Sequence, residues 1–179
     1  MKEYEGKSGK IEYLKELILE CIAEGHKILL FSQFTSILKN ISQEFDSLNI
    51  SYYYLDGSTK VKDRNDLVNK FNNDKTSVFL ISLKAGGTGL NLTSADIVIH
   101  FDPWWNPAVE NQATDRAHRI GQKNIVEVIK LISEGTVEDK ILKLQDAKKE
   151  LITKIIGDNV DFDRKISSIS EEDIVSYIL

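Results

Sequence analysis

The feature that most restricts this chain is a set of short apolar runs that do not alternate with polar residues. Val78-Phe-Leu-Ile-Ser82 and Asp96-Ile-Val-Ile-His-Phe101 are nearly continuous in this sense, and Lys27-Ile-Leu-Leu-Phe31 is a third short run. A strand with one wet face shows a period of two. A strand without that period suits a parallel sheet covered on both faces. The intervening segments supply the helices. Apolar residues recur at helical spacing at Ile11, Leu14, Leu17, Ile18, Cys21 and Ile22, a stripe that stops at Gly25. A second stripe comprises Ile37, Leu38, Ile41, Phe45 and Leu48. Residues 50–55 read as a strand rich in Ile and Tyr, Asp56-Gly-Ser-Thr59 as a turn and helix cap, and 60–73 as a helix. Residues 125–132 add a strand. Residues 138–156 form a long helix with Ile141, Leu142, Leu144, Gln145, Lys148, Leu151 and Ile155 along its stripe. The predicted fold class is α/β, a mainly parallel sheet with helices on both faces.

Composition narrows the function classes. With 179 residues there is room for one compact domain and a short appendage, not two enzymatic domains. At 41% hydrophobic the chain is ordinary for a globular protein, so disordered and fibrous classes are excluded. No run approaches the ~18 apolar residues of a membrane helix, and the polar start is no signal peptide. The expectation is a soluble, intracellular protein. The single cysteine, Cys21, excludes an internal disulfide and a multi-cysteine zinc site, and falls on the first helix's apolar stripe as a buried, inert thiol. Three scattered histidines make no metal site; His100, inside an apolar strand, reads as a core histidine. Net charge is −5, of which −4 lies from Ser133 onward, leaving the first 132 residues at −1. Any polyanion contact must therefore be local, built from backbone amides and a few placed cations.

Gly6-Lys7-Ser8 imitates the end of a phosphate-binding Walker A loop, but Met1 stands where that pattern needs glycine and no strand precedes it. No Asp-Glu pair follows a strand to hold magnesium, so the chain lacks the parts that hydrolyse a nucleoside triphosphate alone. Two loops are informative. Gly86-Gly87-Thr88-Gly89 lies past the carboxyl end of the strand ending at Ser82, where open α/β sheets bind ligands. Glycines there suit either backbone amides turned towards a phosphate or a tight strand–helix turn. Asp102-Pro-Trp-Trp-Asn-Pro107 holds both prolines and both tryptophans of the chain. Trp104 is expected to be buried and Trp105 to face a ligand. A helix from Pro107 to about residue 120 would place Val109, Ala113, Ala117 and Ile120 on its core stripe. Gln112, Arg116 and Arg119 would fall on a second stripe, projecting two of the four arginines from beside the buried face. Paired guanidiniums suit a transferring phosphoryl group; a solvated face with an Asp115–Arg119 pair is the alternative.

Longer motifs carry a resemblance. Lys27-Ile-Leu-Leu-Phe-Ser-Gln-Phe34, Leu55-Asp-Gly-Ser-Thr59 and Leu80-Ile-Ser-Leu-Lys-Ala-Gly-Gly-Thr-Gly-Leu-Asn-Leu92 come first. Trp105-Asn-Pro107 and Gln112-Ala-Thr-Asp-Arg-Ala-His-Arg-Ile-Gly-Gln122 come after them, in that order. Together, over about residues 8–155, they resemble the second RecA-like domain of Snf2-family ATPases, helicase-superfamily-2 motors that translocate on double-stranded DNA. The resemblance implies that Arg116 and Arg119 are arginine fingers reaching ATP across a cleft between two RecA-like halves. Gln112, Gly89 and Asn91 would border the nucleotide. Gln33, Gly57, Ser58, Ser82, Lys84, Gly86, Gly87 and Trp105 would line the DNA groove. The implied division is a linker over 1–8, the RecA-like domain over 9–135, a brace helix over 136–157 and an acidic tail over 158–179.

ATP with Mg2+ would be held mainly by a first RecA-like half carrying the Walker A lysine and magnesium pair. That half is missing, so the chain reads as a C-terminal fragment, inactive and monomeric by itself. Its partners would be double-stranded DNA and the N-terminal RecA-like domain, with no membrane. Its location would be cytoplasmic, at a bacterial nucleoid, or nuclear in a eukaryote. One rival is a catalytically silent nucleic-acid or protein docking module with the same fold. A Rossmann-like cofactor enzyme is the other, but Phe31-Ser-Gln-Phe-Thr35 lacks the glycine turn it needs.

Overall fold

The computed structural model describes residues 8–86, 89–118, 122 and 124–156. The chain runs α1 (Gly9–Ala23), β1 (Ile28–Ser32), α2 (Thr35–Ser47), β2 (Tyr52–Leu55), α3 (Val61–Asn73), β3 (Val78–Ser82) and α4 (Leu83–Gly86). It continues through β4 (Ile97–His100), α5 (Pro107–Thr114), β5 (Glu127–Lys130) and α6 (Val137–Ile156). The strands order as β2-β3-β1-β4-β5, and every pair is parallel. Central β1 sits with Leu30 opposite Leu80 on one side and Ile99 on the other. All residues of β1, β3 and β4 are buried, which is why these strands read as unbroken apolar runs.

Alternate residues of each strand feed two separate cores. Leu29, Phe31, Phe79, Ile81 and Val98 face one layer, where α3 contributes Val68 and Phe71 and the α5 region Ala113 and Ala117. Ile28, Leu30, Val78, Leu80, Ile97 and Ile99 face the other, filled by Leu14, Ile18 and Cys21 of α1 and Leu38, Ile41 and Phe45 of α2. Cys21 is 6% exposed, and burial raises its thiol pKa, as expected of an inert core cysteine.

Three local expectations need correcting. The strand begins at Tyr52 rather than Ile50, because Asn49 turns left-handed (φ 55°) and Ile50 N–H closes the end of α2 on Phe45 O at 2.9 Å. Thr59 does not cap α3, whose N-cap is Lys60 without a side-chain bond. Instead Asp56 organises the turn by accepting from Ser58 N–H and Oγ at 2.8 and 2.6 Å, and these bonds lower its carboxyl pKa. The third concerns α5, which ends at Thr114 and not near residue 120. Arg116 N–H bonds to Ala113 O and Ala117 N–H to Thr114 O, a tighter i to i+3 winding that leaves the α-helical path. Gln112 and Arg116 therefore do not share one continuous α-helical stripe, and Arg119 and Ile120 lie outside the described residues.

Gly86 has a packing role. A Cβ there would stand 2.8 Å from Phe31 Cε1, against the edge of a ring that is itself 1% exposed. Gly86→Ala is expected to cost about 1–3 kcal/mol of stability through overpacking. Urea unfolding of the two proteins measures it, and an unchanged midpoint would show that Phe31 moves aside freely.

Candidate nucleic-acid and nucleotide interface

In a parallel sheet every strand ends on the same edge, so residues distant in sequence are brought into one row. In strand order that row is Gly57 and Ser58 after β2, Ser82, Lys84 and Gly86 at the end of β3, Gln33 after β1, and the tryptophan loop after β4. Adjacent strands are about 4.8 Å apart, so four neighbouring loops span roughly 15 Å. β1 connects towards β2 on one side, whereas β4 connects through α5 to β5 on the other. The chain thus reverses direction between β1 and β4, the kind of crevice in which open α/β sheets take ligands. A groove of about 380 Å³ lies there, lined by Gln33, Phe34, Leu83, Lys84, Trp104 and Val109.

The expected groove residues divide. Gly57, Ser58 and Lys84 are exposed and Gln33 is half-buried. Ser82 is 3% exposed, and its Oγ accepts Ala85 N–H at 3.4 Å, so its hydroxyl is turned to the start of α4. Gly86 is buried against Phe31. Gly87 lies outside the described residues. The two indoles are both half-buried, so the expected split between a buried Trp104 and an open Trp105 does not hold. Trp104 forms the groove wall, and Trp105 lies beneath the Lys148 ammonium of α6, 5.4 Å from its ring centre.

Two buried carboxylates that sequence reasoning did not single out shape this edge. Asp102 accepts from Ser32 Oγ and, at 2.8 Å, from Gln33 N–H, and so fixes the loop that presents Gln33. Burial nevertheless raises its pKa. Glu110, 1% exposed, holds the tryptophan loop through Trp104 N–H at 2.6 Å and pairs with Lys130. The proline start of α5 is conventional: Asn106 caps it by accepting Ala108 N–H at 3.2 Å, with Pro107 in the first turn.

The expected nucleotide side gathers elsewhere. Gly89, Asn91 and Gln112 are exposed, and Leu92 N–H bonds to Arg116 O at 2.9 Å, tying the glycine loop to the turn after α5. Gly89 adopts φ 60°, the left-handed conformation glycine tolerates. Arg116 departs from its expected projection. It is 4% exposed, and its Nε donates to Gln112 O at 3.0 Å, so its side chain is turned inward along its own turn. Among the described residues, no group of His, Cys, Asp and Glu is placed to hold a metal ion, and no helix is long and apolar enough to cross a membrane.

A parallel sheet with helices on both faces and a switch in strand order beside β1 defines an open, doubly wound α/β domain. Residues 9–121 match the helicase conserved C-terminal domain, and the chain belongs to that family. It is 45% identical over 169 residues to an uncharacterized ATP-dependent helicase of Mycoplasma pneumoniae, covering 94% of this chain and 16% of that protein. It is 39% identical over 183 residues to the chromatin-remodeling ATPase INO80 of Aspergillus terreus, covering 99% of this chain and 11% of the relative. The crystal structure of the C-terminal part of the Fun30 ATPase domain superposes with a TM-score of 0.75 at 41% identity, over 80% of this chain and 47% of that one. The fold is RecA-like, and the INO80 and Fun30 relatives are Snf2-family ATPases. The chain spans about a sixth or less of the curated relatives named here.

His100 joins this site to the core. It is 1% exposed, stacks on Phe31, and shares a 3.1 Å hydrogen bond with Thr114 Oγ1 at the end of α5. Desolvation pushes its pKa down to about 4, against an opposing pull from Glu110. The depressed pKa makes the unfolded chain bind the extra proton. The stability is therefore fully present above about pH 6.5 and is lost as pH falls towards 4. The loss should reach about 3 kcal/mol at that lower limit. His100→Gln should flatten the fall between those limits; denaturant midpoints measured across that range check it, and parallel curves for the two proteins would refute it.

Proposed function

We propose that this chain is the second motor domain of an ATP-dependent double-stranded DNA translocase or remodeller. In this reading it grips the DNA phosphate backbone at its carboxyl edge and supplies arginine to ATP bound by a first RecA-like half. The observation that carries the proposal is the groove in which Gln33 and Lys84 meet Trp104, on the same sheet edge that carries Gly57 and Ser58 after β2. Backbone amides, hydroxyls and one lysine suit a phosphate backbone read without base contacts, and need no basic surplus in a chain of net charge −5. Residues 9–135 would form that domain, 136–157 its brace and 158–179 an appended tail.

The residues around the turn after α5 and the glycine loop fit a triphosphate approached from outside. Gly89, Asn91 and Gln112 offer uncharged polar groups beside the Arg116 turn, and Mg2+ is assigned to the opposing half. Arg119 is the finger on which the proposal chiefly depends. Arg116 begins from an inward seat and must rotate outward as the cleft closes.

That inward seat is also what favours the rival, a silent docking module with the same fold. In the intact motor, Arg119→Ala is expected to lower DNA-stimulated ATP turnover by about 10³-fold or more while DNA binding persists. Turnover at the wild-type rate would remove Arg119 from the chemistry and leave the docking module as the better reading.

A further inference from the structure

Within the groove, Trp104 has its main chain held from both sides. Its N–H donates to Glu110 Oε1 at 2.6 Å, and its carbonyl accepts from Gln145 Nε2 on α6. The same Nε2 reaches Glu110 Oε1 at 3.1 Å, and the other Glu110 oxygen holds Lys130 Nζ. Gln145 Oε1 stands 3.4 Å from that ammonium, which closes the circuit among α5, β5 and α6. Glu110 and Gln145 are each 1% exposed. A buried polar network costs free energy wherever a member loses its hydrogen bonds, so each member depends on the others.

Three residues further along α6, Lys148 is 2% exposed and lies over the Trp105 ring. A helix serving only as an apolar lid would put apolar groups at these two positions. Among the described side chains of α6, the two fully buried ones are this glutamine and this lysine, and both engage the tryptophan loop.

We propose that Gln145 and Lys148 are positioning residues for the DNA groove, clamping Trp104 and Trp105 so that the groove keeps its shape only while α6 is docked. The inference rests on the reading of that groove as a DNA-contacting surface. It adds to that reading a route by which displacement of α6 loosens the grip on DNA.

Both tryptophans of the chain lie in this loop, so intrinsic indole emission reports on it alone. Gln145→Met keeps the side-chain length and removes the hydrogen bonds. Its emission should move to longer wavelength without DNA, and its affinity for a short double-stranded DNA should fall roughly tenfold, the loss of about one good hydrogen bond. Glu138→Gln is the control, because it loosens only the first turn of α6, where Glu138 pairs with Lys10 and accepts Ser133 N–H, and leaves in place the Gln145 and Lys148 contacts that dock the helix on the tryptophan loop. This control should lower the melting temperature and leave emission and affinity as they were.

Unchanged emission in Gln145→Met overturns the clamp, as does shifted emission with unchanged affinity. A Glu138→Gln variant that reproduces both effects reduces Gln145 to ordinary structural support and overturns the proposal too. If Gln145→Met does not fold, Lys148→Met is judged by the same two readouts. Failure of the wild-type chain to bind the DNA counts against the proposed function, and the emission comparison still decides the clamp.

Discussion

Parallel pairing of β1 with both β3 and β4 is the constraint on which the remaining structure depends. A strand paired on both edges and covered on both faces has no side chain to spare for solvent or ligand, so chemistry is confined to the loops beyond its carboxyl end. Parallel pairing sends every such loop to one edge, where Gln33, Lys84 and Trp104 meet although about seventy residues separate the first from the last. The direction reversal beside β1 opens the groove between them.

Holding that edge in shape falls to buried polar groups more than to apolar contacts. Asp102 ties the end of β4 to the start of the loop after β1, and Glu110 ties α5 back onto the loop that precedes it. Each carboxylate is sealed from water and bonded through both oxygens. Such groups are poor sources of net stability but strong selectors of one geometry, since any other arrangement strands a charge. Loops anchored in this way present main-chain and side-chain groups at set positions without needing a large positive field.

The sequence was most legible where physics is local. Unbroken apolar runs marked the buried strands, and the stripes marked α1, α2 and α6 nearly to the residue, with Gln145 and Lys148 already on the α6 stripe. The grouping of Gln33, Gly57 and Lys84 came from the family resemblance, and the parallel sheet puts them on one edge. What stayed hidden depends on tertiary partners. Nothing in Asp115-Arg-Ala-His118 forbids a helix; the bond from Leu92 N–H to Arg116 O accompanies the tighter winding there. Ser82 and Gly86 have the right chemistry for a ligand loop, yet neighbouring α4 and Phe31 use them internally. The roles of the two indoles turn on α6, which lies about forty residues away in sequence. Glu110 offered no pattern at all, although its place one turn into α5, three residues after Pro107, is a recoverable hint for a carboxylate aimed back at the preceding loop.

Among the described residues the two cores share no side chain, and β1 supplies both by strict alternation: Leu29 and Phe31 to one, Ile28 and Leu30 to the other. Sliding β1 by a single position would exchange its occupants between the two layers, and would drag Gln33 off the Asp102 anchor at the same stroke. Proofreading of strand alignment in this fold is thus inseparable from assembly of its working edge: a misthreaded molecule cannot retain a correctly formed groove.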